Sequence, residues 1–243
     1  MLGKKGNETL TRRAGCLSAC YSLDTIMQKG SLKKLTLLAS SALAFSLASV
    51  AQADTYELTV TNLTRGESFT PRIAFVHTGG NAFTVGQPAI EQLAIIAESG
   101  NVAPMMTLLE TAPEVVTNIV VMDGLLAPGA TETITVEGNP GDKVSLLNML
   151  IPSNDAFLAV DAVELPTMGS VTVDALVYDA GSEPNDELCA NIPGPTCGGE
   201  GDSPNVDGEG YIHIHAGIHG IGDLMASDYD WRNPGARIVI TKQ

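Results

Sequence analysis

The segment YDAGSEPNDE, Tyr178 to Glu187, places Asp179, Glu183, Asn185, Asp186 and Glu187 within nine positions, with no Lys or Arg among them. Carboxylates this close repel one another unless water screens them or a cation sits between them. A hard cation such as Ca²⁺ gathers six to eight oxygens from carboxylates, amides, backbone carbonyls and water, so this composition suits calcium. The EF-hand route to such a site is absent. Its nearest approach, Ser203-Pro-Asn205-Val-Asp207-Gly208, lacks the first acid and has Ile214 where the bidentate Glu belongs.

A β-sandwich offers another route, in which loops at one end of the sheets bring distant carboxylates together. Two loops qualify. PSNDAF carries Asn154 and Asp155 after an apolar run ending at Ile151, and DAGSE carries Asp179 and Glu183 around Gly181. If the two preceding strands end on the same side, Asp155, Asp179 and Glu183 converge. Otherwise each is an ordinary solvated loop acid.

A second cluster is YIHIHAGIHG, with His213, His215 and His219. On a strand His213 and His215 share a face, and Gly217 lets His219 fold back. Such imidazoles could hold Zn²⁺ or Cu²⁺, making the chain a copper or zinc metalloprotein, or could simply be solvated. Asp223 and Asp228 lie near in sequence, and His77 reads as a packed or edge residue. No Gly-x-Ser-x-Gly, phosphate loop, His-Glu-x-x-His or placed thiol nucleophile occurs, so no enzyme class is indicated.

The elements that must position these residues begin after the N-terminal region. Met27 to Ala53 has a basic start, an apolar stretch and an Ala-Gln-Ala end, the layout of a secretory signal peptide cleaved after Ala53. Residues 1–26 read as an upstream extension, untranslated or disordered, and carry Cys16 and Cys20. Residues 1–53 hold seven basic and two acidic side chains, which leaves six and 26 in residues 54–243, a net of −20. That balance argues against nucleic acid and against anionic membrane, both of which are bound through Lys and Arg. It fits an exported protein, periplasmic or secreted. Cys189 and Cys197, the remaining pair, are expected to form a disulfide that pins a long loop.

Residues 54–243 read as one domain of about eight short strands separated by turns such as APGA and GNPGD. The expected strands are Tyr56–Leu63, Arg72–Thr78, Val115–Met122, Thr131–Gly138, Lys143–Ile151, Ser170–Tyr178, Tyr211–Gly217 and Ala236–Lys242, with Phe157–Val163 as a further candidate. Pro88–Gly100 has helical spacing between Pro and Gly, and VAPMMTLLE adds a further turn or two. The pattern predicts an all-β antiparallel sandwich with one or two short helices. Asp179 to Gly210 forms a long polar insert, and Trp231 is expected to anchor the loop before the last strand.

SLLNMLIPSNDAFLAVDAVEL followed by VYDAGSE resembles the spondin N-terminal domain family, F-spondin and its bacterial relatives. The resemblance extends over most of residues 55–242, with AFVHTGGNAFTVGQPA, LAIIAESGN and DWRNPGARIVI at the expected places. It implies a C2-like β-sandwich with Ca²⁺ held by three acids, here Asp155, Asp179 and Glu183. Two departures stand out: Ala156 and Phe157 replace the usual Asp-Trp step, and the third acid is Glu instead of Asp. The implied function is a non-enzymatic, calcium-dependent binding or adhesion module for an extracellular or cell-surface protein or glycan.

Overall fold

The computed structural model describes residues 52–202 and 208–243. The expected extension 1–26, the signal peptide up to Ala51, and Ser203 to Asp207 lie outside them.

The first strand, β1 (Asp54–Asn62), alternates as a half-buried strand should: Tyr56, Leu58 and Val60 are fully buried while Thr55 and Glu57 face solvent. A two-residue β2 (Ser68–Phe69) and β3 (Arg72–His77) follow, then α1 (Glu91–Ser99) and α2 (Ala103–Glu110). β4 (Val116–Met122), β5 (Thr131–Gly138), β6 (Lys143–Ile151), β7 (Ala156–Glu164) and β8 (Ser170–Asp179) complete the middle of the chain. After the acidic insert come the short β9 (His213–Ile214), a single helical turn α3 (Ala226–Tyr229) and β10 (Ala236–Lys242).

The strands form one antiparallel path, β4-β3-β6-β7-β8-β10-β1-β5, with β2 on β6 and β9 on β8. The path folds over on itself into a sandwich. Its two ends approach each other, for the Glu137 N–H donates to Asn118 Oδ1 at 3.2 Å between β5 and β4. Between the layers lie Tyr56, Leu58, Val76, Leu146, Leu158, Val177, Ile238 and Ile240. A second apolar cluster packs α1 and α2, through Leu93, Ile96 and Met105, onto Ile73, Phe75, Leu147 and Phe157. Strands β3 and β6 are therefore covered on both faces, which explains their near-continuous burial. Each fully buried Leu or Ile in these clusters contributes roughly 1.5–3 kcal/mol.

Ten strands stand among the described residues where about eight were expected. The surplus comes from β2, too short for periodicity to reveal, and from β7, the added candidate. VAPMMTLLE proves to be a two-turn helix, with Pro104 in its first turn, where a missing N–H costs nothing. Tyr211–Gly217 is shorter as a strand than expected, reduced to His213–Ile214, with Gly217 at φ 92° beyond it.

The register fixes the functional end. β7 and β8 pair Ala156 with Asp179, so the start of one strand meets the end of the other. On the opposite edge of β8, Asp179 pairs with His213 of β9.

Candidate metal centre

Asp155 leads into β7 and Asp179 closes β8, so antiparallel pairing brings their loops together, and the Ala180 N–H donates to the Asp155 carbonyl at 3.1 Å. Asp155 is fully buried and Asp179 is 1 % exposed. Asp155 Oδ2 accepts from the backbone N–H groups of Ser182 at 2.8 Å and Glu183 at 3.1 Å. Its Oδ1 has no hydrogen-bond partner among the described residues. Asp179 Oδ1 accepts from the Gly181 N–H at 2.8 Å, and its Oδ2 accepts from Asn185 Nδ2 at 2.7 Å. Glu183 is also buried, in the same turn.

No Lys or Arg forms an ion pair with Asp155 or Asp179 among the described residues; the basic side chains beside Asp179 are His213 and His215. Burial, with the charge of Asp179 added to it, pushes the Asp155 carboxyl up to about 8. Burial raises Asp179 too, against the opposing pull of Asn185 and His213. Two carboxylates held in this way fit a divalent cation. The donors are oxygens, one lone-pair-bearing oxygen is buried without a partner, and positive charge is otherwise missing.

The turn that presents them depends on Gly181. It sits at φ +66°, and a Cβ there would lie 2.3 Å from the Tyr211 carbonyl oxygen. Gly181 in turn accepts the Gly210 N–H at 2.8 Å, which ties the DAGS turn to the strand carrying the histidines.

The acidic run divides into two groups. Asp186 accepts from Leu188 N–H, Asn154 Nδ2 and Asn191 Nδ2, and so closes its own loop. Glu187, 3 % exposed, accepts backbone N–H groups from His219, Gly220 and Ile221 at 2.5–2.9 Å. These two acids are satisfied by amide donors and hold the loops, whereas the charge of Asp179 acts on Asp155. The Cys189–Cys197 disulfide closes the loop beyond them.

The three histidines separate by environment. His213 lies half-exposed beside Asp179, His219 is exposed, and His215 is buried against Trp231 with ring centroids 4.9 Å apart. Burial, with lesser contributions from His213 and His219, lowers His215 to about 3, so its ring is neutral. Trp231, itself 5 % exposed, anchors the loop before β10 as expected. His77 is packed, between Ser145 Oγ at 3.0 Å and the Gly79 carbonyl at 2.9 Å. Sequence reasoning missed Asn185 and Glu209 as neighbours of Asp179. Only the docking of β9 on β8 brings Glu209 there, and no local pattern announces it.

Residues 60–186, from within β1 to the acidic loop, match the Spondin_N family. The chain belongs to the Spondin_N family. No curated protein matches it. The matched span includes Asp155, Asp179 and Glu183 and stops short of Glu209 and the histidines. Spondin_N is not a known enzyme family; membership supports a non-enzymatic module of extracellular type. The disulfide agrees with an oxidising compartment. Among the described residues no helix is long and apolar enough to cross a membrane.

Proposed function

We propose that this Spondin_N domain is an exported calcium-binding module, with Ca²⁺ held by Asp155, Asp179 and Glu183, that recognises an extracellular or cell-surface protein or glycan. The observation that carries this reading is Asp155: fully buried, beside a second buried carboxylate, with Oδ1 lacking any partner. Without a cation, burial and the charge of Asp179 favour a proton on Asp155; with one, the charge is matched and the loops gain a common anchor. The net charge of residues 54–243 disfavours nucleic acid and anionic lipid as partners and leaves protein and glycan surfaces.

The test is thermal melting of the purified protein with chelator and with millimolar calcium, wild type beside Asp155→Asn. A ligand at 100 times its Kd stabilises by about 2.7 kcal/mol. For a domain of this size that corresponds to a rise of roughly 5–10 °C in the wild type, absent in Asp155→Asn. An equal response in both proteins sinks the assignment.

A further inference from the structure

The histidine side of Asp179 lies outside the family match and has a chemistry of its own. His213 Nδ1 is 3.1 Å from the Ile214 carbonyl oxygen. A carbonyl only accepts, so Nδ1 carries a proton, and in the neutral ring Nε2 holds the lone pair. That nitrogen lies 3.5 Å from Asp179 Oδ1. One donor atom from each of Asp179, Glu209 and His213 falls within 4.8 Å of the other two. Asn185 Nδ2 holds the carboxylates together, donating to Asp179 Oδ2 at 2.7 Å and to Glu209 Oε1 at 3.4 Å.

His215 is an independent pointer to the same place. Its Nδ1 accepts the Gly217 N–H at 2.9 Å, which puts the ring proton on Nε2. The side chain is 3 % exposed, and Nε2 has no hydrogen-bond partner among the described residues. It lies 3.8 Å from Asp179 Oδ2 and shares with Asp179, Glu209 and His213 the wall of a cavity of about 220 Å³. The two imidazoles thus have opposite tautomers. His213 offers a lone pair, backed by a carbonyl on its other nitrogen, as metal-bound histidines commonly are. His215 holds its Nε2–H 3.8 Å from the same carboxylate, beyond hydrogen-bond length, so that a small movement of Asp179 onto a metal would bring it within reach.

We propose that Asp179, Glu209 and His213 form a second cation site, for a borderline transition metal ion of the zinc class, with His215 as a positioning residue for Asp179. One imidazole with two carboxylates suits Zn²⁺ and its neighbours, whereas Ca²⁺ takes oxygen alone. Three protein donors opening on a cavity leave a coordination position for water or for a donor from a partner. The inference rests on the calcium reading only in that the two ions share Asp179.

The purified full-length protein is dialysed against Zn²⁺ with calcium in excess, desalted and assayed for zinc, and Co²⁺ is titrated in parallel by visible absorption. About one zinc per chain is expected, as for a single protein-bound site. Ligand-field bands of bound Co²⁺ are expected too, with both signals falling at least about tenfold in His213→Ala and in Glu209→Gln. Glu209 is exposed, so its substitution leaves folding intact and carries the test if His213→Ala does not fold. Absence of zinc from the wild type overturns the proposal. Zinc retained undiminished in both variants overturns it as well. Melting with and without calcium is read separately, so a protein that ignores calcium but holds zinc through His213 contradicts only the calcium reading.

Discussion

His213 Nε2 lies 3.5 Å from Asp179 Oδ1, across the register pair that joins β9 to β8. On the other edge of β8 the same Asp179 pairs with Ala156, next to the buried Asp155. One carboxylate is therefore flanked by an acid on one side and an imidazole on the other, and among the described residues no Lys or Arg pairs with it. The physical demand of such an arrangement is positive charge. Oxygen chemistry dominates towards Asp155, and mixed nitrogen and oxygen chemistry dominates towards His213.

The pH dependence of the chelated protein follows from the sign of the Asp155 shift. An unfolded Asp titrates near about 3.9, and the folded carboxyl stands at about 8. Stability from this group is fully present below the unfolded value and is lost as pH rises through the folded one. His215, lowered to about 3, has the opposite sign: its contribution is present above its unfolded value and is lost as pH falls. Between about pH 6.5 and 8, melting in chelator is expected to decline for the wild type and to flatten in Asp155→Asn. Calcium is expected to flatten it as well. Superimposable pH profiles for the two proteins in chelator would count against the buried carboxyl.

Gly181→Ala places a methyl group against the Tyr211 backbone at a left-handed φ. The expected cost is more than about 1 kcal/mol. A readout beyond stability is expected too, since the DAGS turn and β9 move apart and calcium and zinc binding weaken together. A variant that melts and binds like the wild type contradicts the close approach.

Glu187→Ala removes the acceptor for three backbone N–H groups at residues 219–221. Charge-assisted bonds of this kind suggest a loss of about 2 kcal/mol or more. Hydrogen exchange at His219, Gly220 and Ile221 is the direct check, and protection there should fall before the β-sandwich core is affected. Unchanged exchange at these three amides would deny Glu187 its role.

Reduction of the Cys189–Cys197 disulfide frees a short ring, and the loop-entropy argument gives a loss of roughly 2–3 kcal/mol. Denaturant melts with and without reductant measure it. No shift at all would mean that the surrounding loop, tied by Asp186 and Glu187, already holds the ring closed.

Much of this arrangement was legible because it is local. The alternation in YELTVTNL, the Pro-to-Gly frame around α1 and the PSNDAF and DAGSE turns each carry their own signal over a few residues. Convergence of the two loops was conditional on the strands ending at Ile151 and Tyr178 finishing on the same side, and β6 and β8 both pair antiparallel with β7 and so run the same way. The roles of Asp186 and Glu187 were hidden, since the same acidic run reads identically whether amides or ions satisfy it. The opposite tautomers of His213 and His215 were hidden too. They depend on which backbone group meets each ring, a carbonyl at Ile214 and an N–H at Gly217. Alternation along a strand suggested a shared face, and His213 and His215 do both lie against Asp179, yet they differ in burial and in the backbone group each ring meets.

The most direct measurement is a crystal structure of the protein grown with calcium, with anomalous scattering used to place the ion. The account predicts one calcium at about 2.3–2.6 Å from Asp155 Oδ1 and from carboxylate oxygens of Asp179 and Glu183. An ion placed elsewhere, or none between Asp155 and Asp179 at saturating calcium, would contradict it.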